Sequence, residues 1–261
     1  MRHLTTLLLL LLSTTNFAGV FVYEGVYQGR DLYVKNPFAS DGVGFCVFEV
    51  KVNGEVTTDE VNSSAFAIDL SLFDFKMGDP VEIVIRTKED CEPSVINPKD
   101  ILPRSTFELA SMNLEADGTL SFATRNESGE LPFVVEQFKW NKWTVVAGVE
   151  GKGAHEGENQ YRVEVPLHSG ENTFRIRQDG PEGSRISERQ SMNSTQPAIS
   201  IVDEKVFDTL KFSGQTAYEV FDQYGVLKAK GVGDSVDAKS WKKGTYYVNF
   251  DNRFGALIYK R

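Results

Sequence analysis

The chain has 261 residues, of which 41% are hydrophobic, 11% aromatic and 25% charged, a composition that excludes both a disordered chain and a polytopic membrane protein. Its formal charge is −9, and without the first eighteen residues 27 basic side chains face 37 acidic ones. A nucleic-acid binder needs a cationic face to displace condensed counterions, so this balance argues against one.

At the N-terminus, Met1-Arg2-His3 gives a positive start, residues 7–12 are an unbroken leucine run, and residues 13–18 end on the small Ala18. The apolar stretch is far shorter than the roughly 20 residues a spanning helix needs, so residues 1–18 read as a cleavable export signal cut after Ala18. No later segment is apolar enough to span a bilayer, and the mature protein is expected to have no transmembrane span.

Period-two alternation with β-branched and aromatic enrichment then recurs at short intervals from residue 20 to residue 259, with no ten-residue amphipathic helix. The fold class is therefore all-β, with three consecutive β-sandwich domains of Ig or fibronectin-III type. In the first, residues 19–104, strands are expected at 20–23, 31–35, 44–52, 65–70 and 81–86, with Asn53-Gly54 and Gly78-Asp79-Pro80 as turns. Both cysteines fall here, and export places them where disulfides persist, so Cys46 is paired with Cys91. The alternative is two unpaired small core residues. The proline-containing residues 91–103 read as an extended exit and linker.

In the second domain, residues 105–197, strands are expected at 106–113, 119–124, 133–137, 143–149, 160–165, 173–178 and 185–190. Asp117-Gly118, Ser128-Gly129, Ser169-Gly170 and Asp179-Gly180-Pro181 mark turns between them. The polar residues 191–197 read as an inter-domain linker. The last domain, residues 198–261, carries ten basic and eight acidic residues, whereas residues 19–197 carry seventeen and twenty-nine. The character of the chain changes at this boundary.

In that last segment Tyr218-Glu-Val-Phe-Asp222-Gln-Tyr-Gly225 is followed by Trp241-Lys-Lys-Gly244-Thr-Tyr246, and the chain ends on Lys260-Arg261. The pattern resembles the C-terminal sorting domain (type A) of proteins exported by the type IX secretion system of Bacteroidetes. In that family an Asp-x-x-Gly hairpin turn, a Gly-x-Tyr strand entry and a basic end recur. Residues 118–124, 133–137, 149–153 and 172–180 likewise resemble the fibronectin-III-like module that often precedes such domains. The resemblance implies inner-membrane export, folding in the periplasm, and outer-membrane passage read from the last domain, with Asp222, Gly225, Gly244, Tyr246, Lys260 and Arg261 as the sorting-motif residues. The implied partner is the type IX translocon, and the implied location is the cell surface or the exterior.

Chemistry is sparse. The mature chain has two histidines, His155 and His168, each in a turn rich in Gly and Glu and read as solvent-exposed. No nucleophile elbow, phosphate loop, dinucleotide fingerprint or zinc-protease motif occurs, so no catalytic residue, metal or cofactor is assigned. Phe138, Trp140 and Trp143 are the candidate binding aromatics, two tryptophans flanking a hairpin turn at Asn141-Lys142 that could stack on a surface polysaccharide or dock on an envelope protein. The functional expectation is a non-enzymatic exported binding or adhesion protein. The competing expectation is an assembly or regulatory component of the secretion system that keeps its last domain as a partner ligand.

Overall fold

The computed structural model describes residues 19–88 and 90–261, so the expected export signal and its cleavage site lie outside the described residues. The chain divides after Leu102 into two compact units.

The first unit contains β1 (Gly19–Val26), β2 (Leu32–Lys35), β3 (Val47–Val52), β4 (Glu55–Val56), β5 (Ala65–Ile68), β6 (Pro80–Thr87) and β7 (Ser94–Val95). They form one antiparallel sheet ordered β1-β6-β3-β4 and a second ordered β5-β2-β7. Alternation decides which side chains go inward. Along β6, Val81, Ile83, Ile85 and Thr87 are buried while Glu82 and Arg86 face out, and Val81, Ile83 and Ile85 meet Leu32 and Val34 of β2 and Phe66 and Ile68 of β5 in one apolar core.

Cys46, fully buried, is bonded to Cys91 with Cα atoms 5.8 Å apart, which settles the two alternatives for the cysteines in favour of the bridge. The stretch read as an exit linker is instead packed into this unit. Ser94–Val95 pairs with β2, and a 3-10 turn at Pro98–Ile101 buries Ile101. Proline does not prevent this, because a two-residue edge strand needs few donors. The turn presses so closely on β1 that a Cβ on Gly25 would lie 2.1 Å from the Ile101 carbonyl oxygen.

The second unit contains β8 (Glu108–Leu114), β9 (Thr119–Arg125), β10 (Phe133–Lys139), β11 (Lys142–Val149), β12 (Asn159–Glu164), β13 (Gly170–Gly180), β14 (Gly183–Ile186), β15 (Gln190–Ser194), β16 (Lys205–Val206), β17 (Thr209–Asp222), β18 (Leu227–Asp237), β19 (Gly244–Phe250) and β20 (Arg253–Lys260). Sheet β12-β9-β8 and sheet β11-β10-β13, with β14 and β15 both paired to β13, enclose an aromatic core of Phe107, Phe122, Phe133, Tyr161 and Phe174. The first half of the expected polar linker is β15, registered against β13 from Ser194 opposite Gly170 to Gln190 opposite Phe174. Its polar side chains hid an edge strand, which needs backbone partners more than an apolar face.

The final sheet runs β16-β20-β19-β17-β18. The β17–β18 register breaks between Lys211 and Thr216, so Leu210 before the break, Phe212 within it and Val220 after it reach one core.

Candidate functional site

Three places concentrate polar and aromatic side chains, all within residues 103–261.

The first is the outer face of the β10 sheet. Phe138 and Trp143 are cross-strand partners with ring centroids 5.2 Å apart. The guanidinium of Arg175 lies 4.0 Å from the Trp143 ring centre and that of Arg189 5.4 Å. Arg175 and Arg177 both donate from Nε to Glu136, at 2.7 and 3.1 Å. Trp143 is therefore engaged by arginines, and Phe138, 42% exposed, is the ring that this face leaves open.

The second place is where the β10–β11 hairpin tip meets the β19–β20 tip. The hairpin turn is Trp140-Asn141, one residue earlier than the sequence reading, with Lys139 opposite Lys142. Both turn residues have positive φ, 53° and 59°, the geometry of a two-residue primed turn, which ordinarily favours Asn and Gly. A tryptophan there is strained, and it persists because its ring is committed elsewhere. Trp140 is 7% exposed, and its indole N–H donates to the Asp251 carbonyl at 3.0 Å. It lies in this junction rather than beside Phe138 and Trp143.

Asp251 has positive φ as well, 47°. Its carboxylate accepts from the Ser169 amide at 2.8 Å, from the Ser169 hydroxyl and from the Ile199 amide at 3.2 Å, while its own amide donates to Thr216. Burial alone would raise the pKa of this carboxyl, but the Ser169 and Ile199 donors outweigh it and hold the group below the usual aspartate range. Beside it, Lys142 donates to both oxygens of Glu219, at 2.8 and 2.7 Å. Glu219 is likewise lowered, since desolvation is overcome by Lys142, Asn249 and Lys230. Lys139 is different. It makes no ion pair among the described residues, its ammonium sits 4.4 Å from the Trp140 ring centre, and burial pulls its pKa below that of an ordinary lysine against the attraction of Glu219 and Asp251. His168, read as exposed, is half-buried here, with Nδ1 2.8 Å from the Ser169 carbonyl oxygen. His155 is also half-buried, against the Glu127 carbonyl at 3.2 Å.

The third place is the far end of the last sheet. Asp222 lies opposite Tyr246, Gly244 opposite Lys260, and the Arg261 amide donates to the Val206 carbonyl. Asp222 accepts from the amides of Tyr224 and Val226 and pairs with Lys228 at 2.9 Å, while Gly225 turns the hairpin with φ 77°. Asp222, Gly244 and Tyr246 line a cleft of about 580 Å³ together with Trp241, Lys242 and Lys243.

Sequence reading missed Glu127, 1% exposed, which accepts from Tyr161 at 2.7 Å, from Thr124 and from the Gly153 amide. Burial raises the pKa of the Tyr161 phenol and keeps it a donor. It also missed Ser169, Arg175, Glu219 and Asp251. The alternation Phe174-Arg175-Ile176-Arg177 was the available signal for a face carrying arginines.

No family model matches this chain, and no curated protein matches it. Among solved structures, a tetra-tandem repeat from the extending region of a large adhesion protein is 12% identical with a TM-score of 0.34, over 94% of this chain and 73% of that one. The four N-terminal Ig domains of Dscam1 isoform 4.4 are 12% identical at 0.20, over 95% and 74%. Dimeric latent PorU from Porphyromonas gingivalis is 11% identical at 0.23, over 94% of this chain but only 30% of its own. Superpositions this partial establish no relationship. Among the described residues, no group of three or more His, Cys, Asp or Glu side chains is placed to hold a metal ion, and no helix is long and apolar enough to cross a membrane.

Proposed function

We propose that this is an exported β-protein whose last 64 residues act as a type IX secretion sorting domain, and whose earlier sandwiches form an extracellular binding or adhesion module. The observation that carries the reading is the gathering of Asp222, Gly225, Gly244, Tyr246, Lys260 and Arg261 at one end of the last sheet. Scattered over forty residues, they meet where a partner could read them together. The Cys46–Cys91 bridge supports an oxidising compartment.

One observation favours the competing reading, in which the protein serves the secretion machinery and retains this domain. The last sheet is held to the preceding sandwich through Trp140, Ser169, Asp251 and the Lys142–Glu219 pair. A segment destined for removal needs no such anchorage.

The test is the location and intact mass of the protein in the producing cell, for the native chain, a chain lacking residues 198–261, and Gly244→Val. Gly244 has φ +147°, which a valine rarely adopts, so this variant disturbs the strand entry with little else nearby. Export of the native chain with periplasmic retention of both variants is the expected result. Unchanged export of the truncated chain would remove the sorting role, and an intact native chain kept in the envelope would favour the machinery reading.

A further inference from the structure

Beside the Trp140–Asp251 junction lies a cleft of about 320 Å³ that the sorting role does not use. Its walls come from the β10–β13 sandwich on one side and from β17 and β18 on the other. Leu167, Pro197, Ile199 and Val232 give it an apolar lining, and Val232 is 76% exposed. The volume lies at the small end of ligand sites and suits one monosaccharide-sized molecule.

Two buried polar atoms on lining residues lack partners, and a lining ammonium has no ion pair among the described residues. Lys139 is a partly buried ammonium that makes no ion pair among the described residues: it stands over the Trp140 ring, with Glu219 and Asp251 attracting it from beyond contact, and the carboxylate of Asp251, also on the lining, is already saturated by Ser169 and Ile199. Gln137 is 1% exposed, and its amide nitrogen donates to the Pro166 carbonyl and to Asn172, which fixes its oxygen on the other side without a donor. Nε2 of His168 is likewise unpartnered. Orphaned polar atoms are few in folded proteins, and two on one cleft call for a ligand with complementary groups. The lining charge not held in an ion pair is positive, the orphaned amide oxygen requires a donor such as a hydroxyl, and the apolar lining suits the C–H face of a ring.

We propose that this cleft binds a sugar acid, its carboxylate paired with Lys139 and its hydroxyls with Gln137 and His168. The ligand touches both the sandwich and the last sheet, so its binding tightens the junction. Linkage then raises the unfolding temperature of residues 103–261 as ligand is added.

The experiment uses the full mature chain, with D-glucuronate as probe and D-glucose as its uncharged twin, followed by calorimetry and thermal unfolding. Binding in the millimolar range by glucuronate, at least tenfold weaker binding by glucose, and a rise in unfolding temperature with glucuronate alone are expected. Lys139→Met keeps the aliphatic stem and removes the charge, and it should abolish the preference for the acid. Val232→Trp, at an exposed position, should fill the cleft and lower affinity for both sugars while leaving Lys139 in place. Equal affinity for the two sugars, no heat with glucuronate, or a Lys139→Met chain that still prefers the acid would overturn the proposal. Purified protein is the only material needed, so failure here leaves the sorting role untouched.

Discussion

The first unit and the junction inside the second are each secured at a few points, by opposite chemistry. In residues 19–102, two sheets close over Leu, Val and Ile side chains that are almost wholly buried, and one covalent bridge ties the start of β3 to the segment after β6. At the junction, two hairpin tips meet over a single indole, and hydrogen bonds and ion pairs to two carboxylates supply most of the polar contacts beside it. Apolar burial is indifferent to direction and to pH, whereas carboxylate bonds fix an orientation and depend on ionisation. The first unit should therefore respond to reductant and the second to acid.

The largest effect expected is loss of the bridge. Replacing both cysteines with serine opens a 45-residue loop, worth roughly 4 kcal/mol in the chain-entropy account. Urea unfolding followed by hydrogen exchange should show β3 and β6 losing protection while β10 and β19 keep theirs. A matching loss in β19 would break the contrast between the two regions.

Next is Trp140→Ala, expected to cost about 3 kcal/mol, the usual scale for a buried aromatic truncation. The cost should be softened where alanine tolerates the positive φ better than tryptophan. Faster exchange at the β19–β20 tip, with the β8–β9 hairpin unchanged, is the expected signature. If stability rises instead, strain at residue 140 outweighs its contacts.

The two regions also differ in how far their sequences disclosed them. Strands with alternation, such as β6 and β13, were legible because one face is turned inward. The disulfide was legible from cysteine number and the expected compartment. Asn36 and Asn97, each followed by a proline, show no structural role in the local sequence, yet Asn36 is fully buried and bonds Val61, Ser63 and Val47, and Asn97 bonds Tyr33, Asp31 and Asp100. Such a role depends on which distant backbone groups arrive beside the side chain, and local pattern carries no record of that. For the same reason Trp140 looked like one of three equivalent aromatics. Phe138 and Trp143 occupy strand positions on one face, whereas the turn at 140–141 sends the second indole toward Asp251. Asp251-Asn252 carries no local sign of its role, because its partners lie some eighty residues earlier at Ser169.

The smallest effect is the most diagnostic of the polar junction. Asp251→Asn keeps the shape and one acceptor oxygen but turns an N–H toward either the Ser169 or the Ile199 amide, leaving one buried donor unsatisfied at a cost of about 1–2 kcal/mol. Asp251 and Glu219 both have pKa values lowered by folding, so the unfolded chain takes up protons first. Their stabilisation is complete above the unfolded carboxyl pKa of about 4 and is lost as pH falls through the lower folded values. Thermal unfolding between pH 7 and pH 2 should therefore show the native second unit weakening below about pH 4. The Asp251→Asn chain should start lower and fall less steeply, retaining only the Glu219 component of this local loss. Parallel pH curves for the two proteins would mean that Asp251 does not carry the acid sensitivity. A steep loss confined to the first unit would place that sensitivity in the region held by aliphatic packing and the bridge, reversing the contrast.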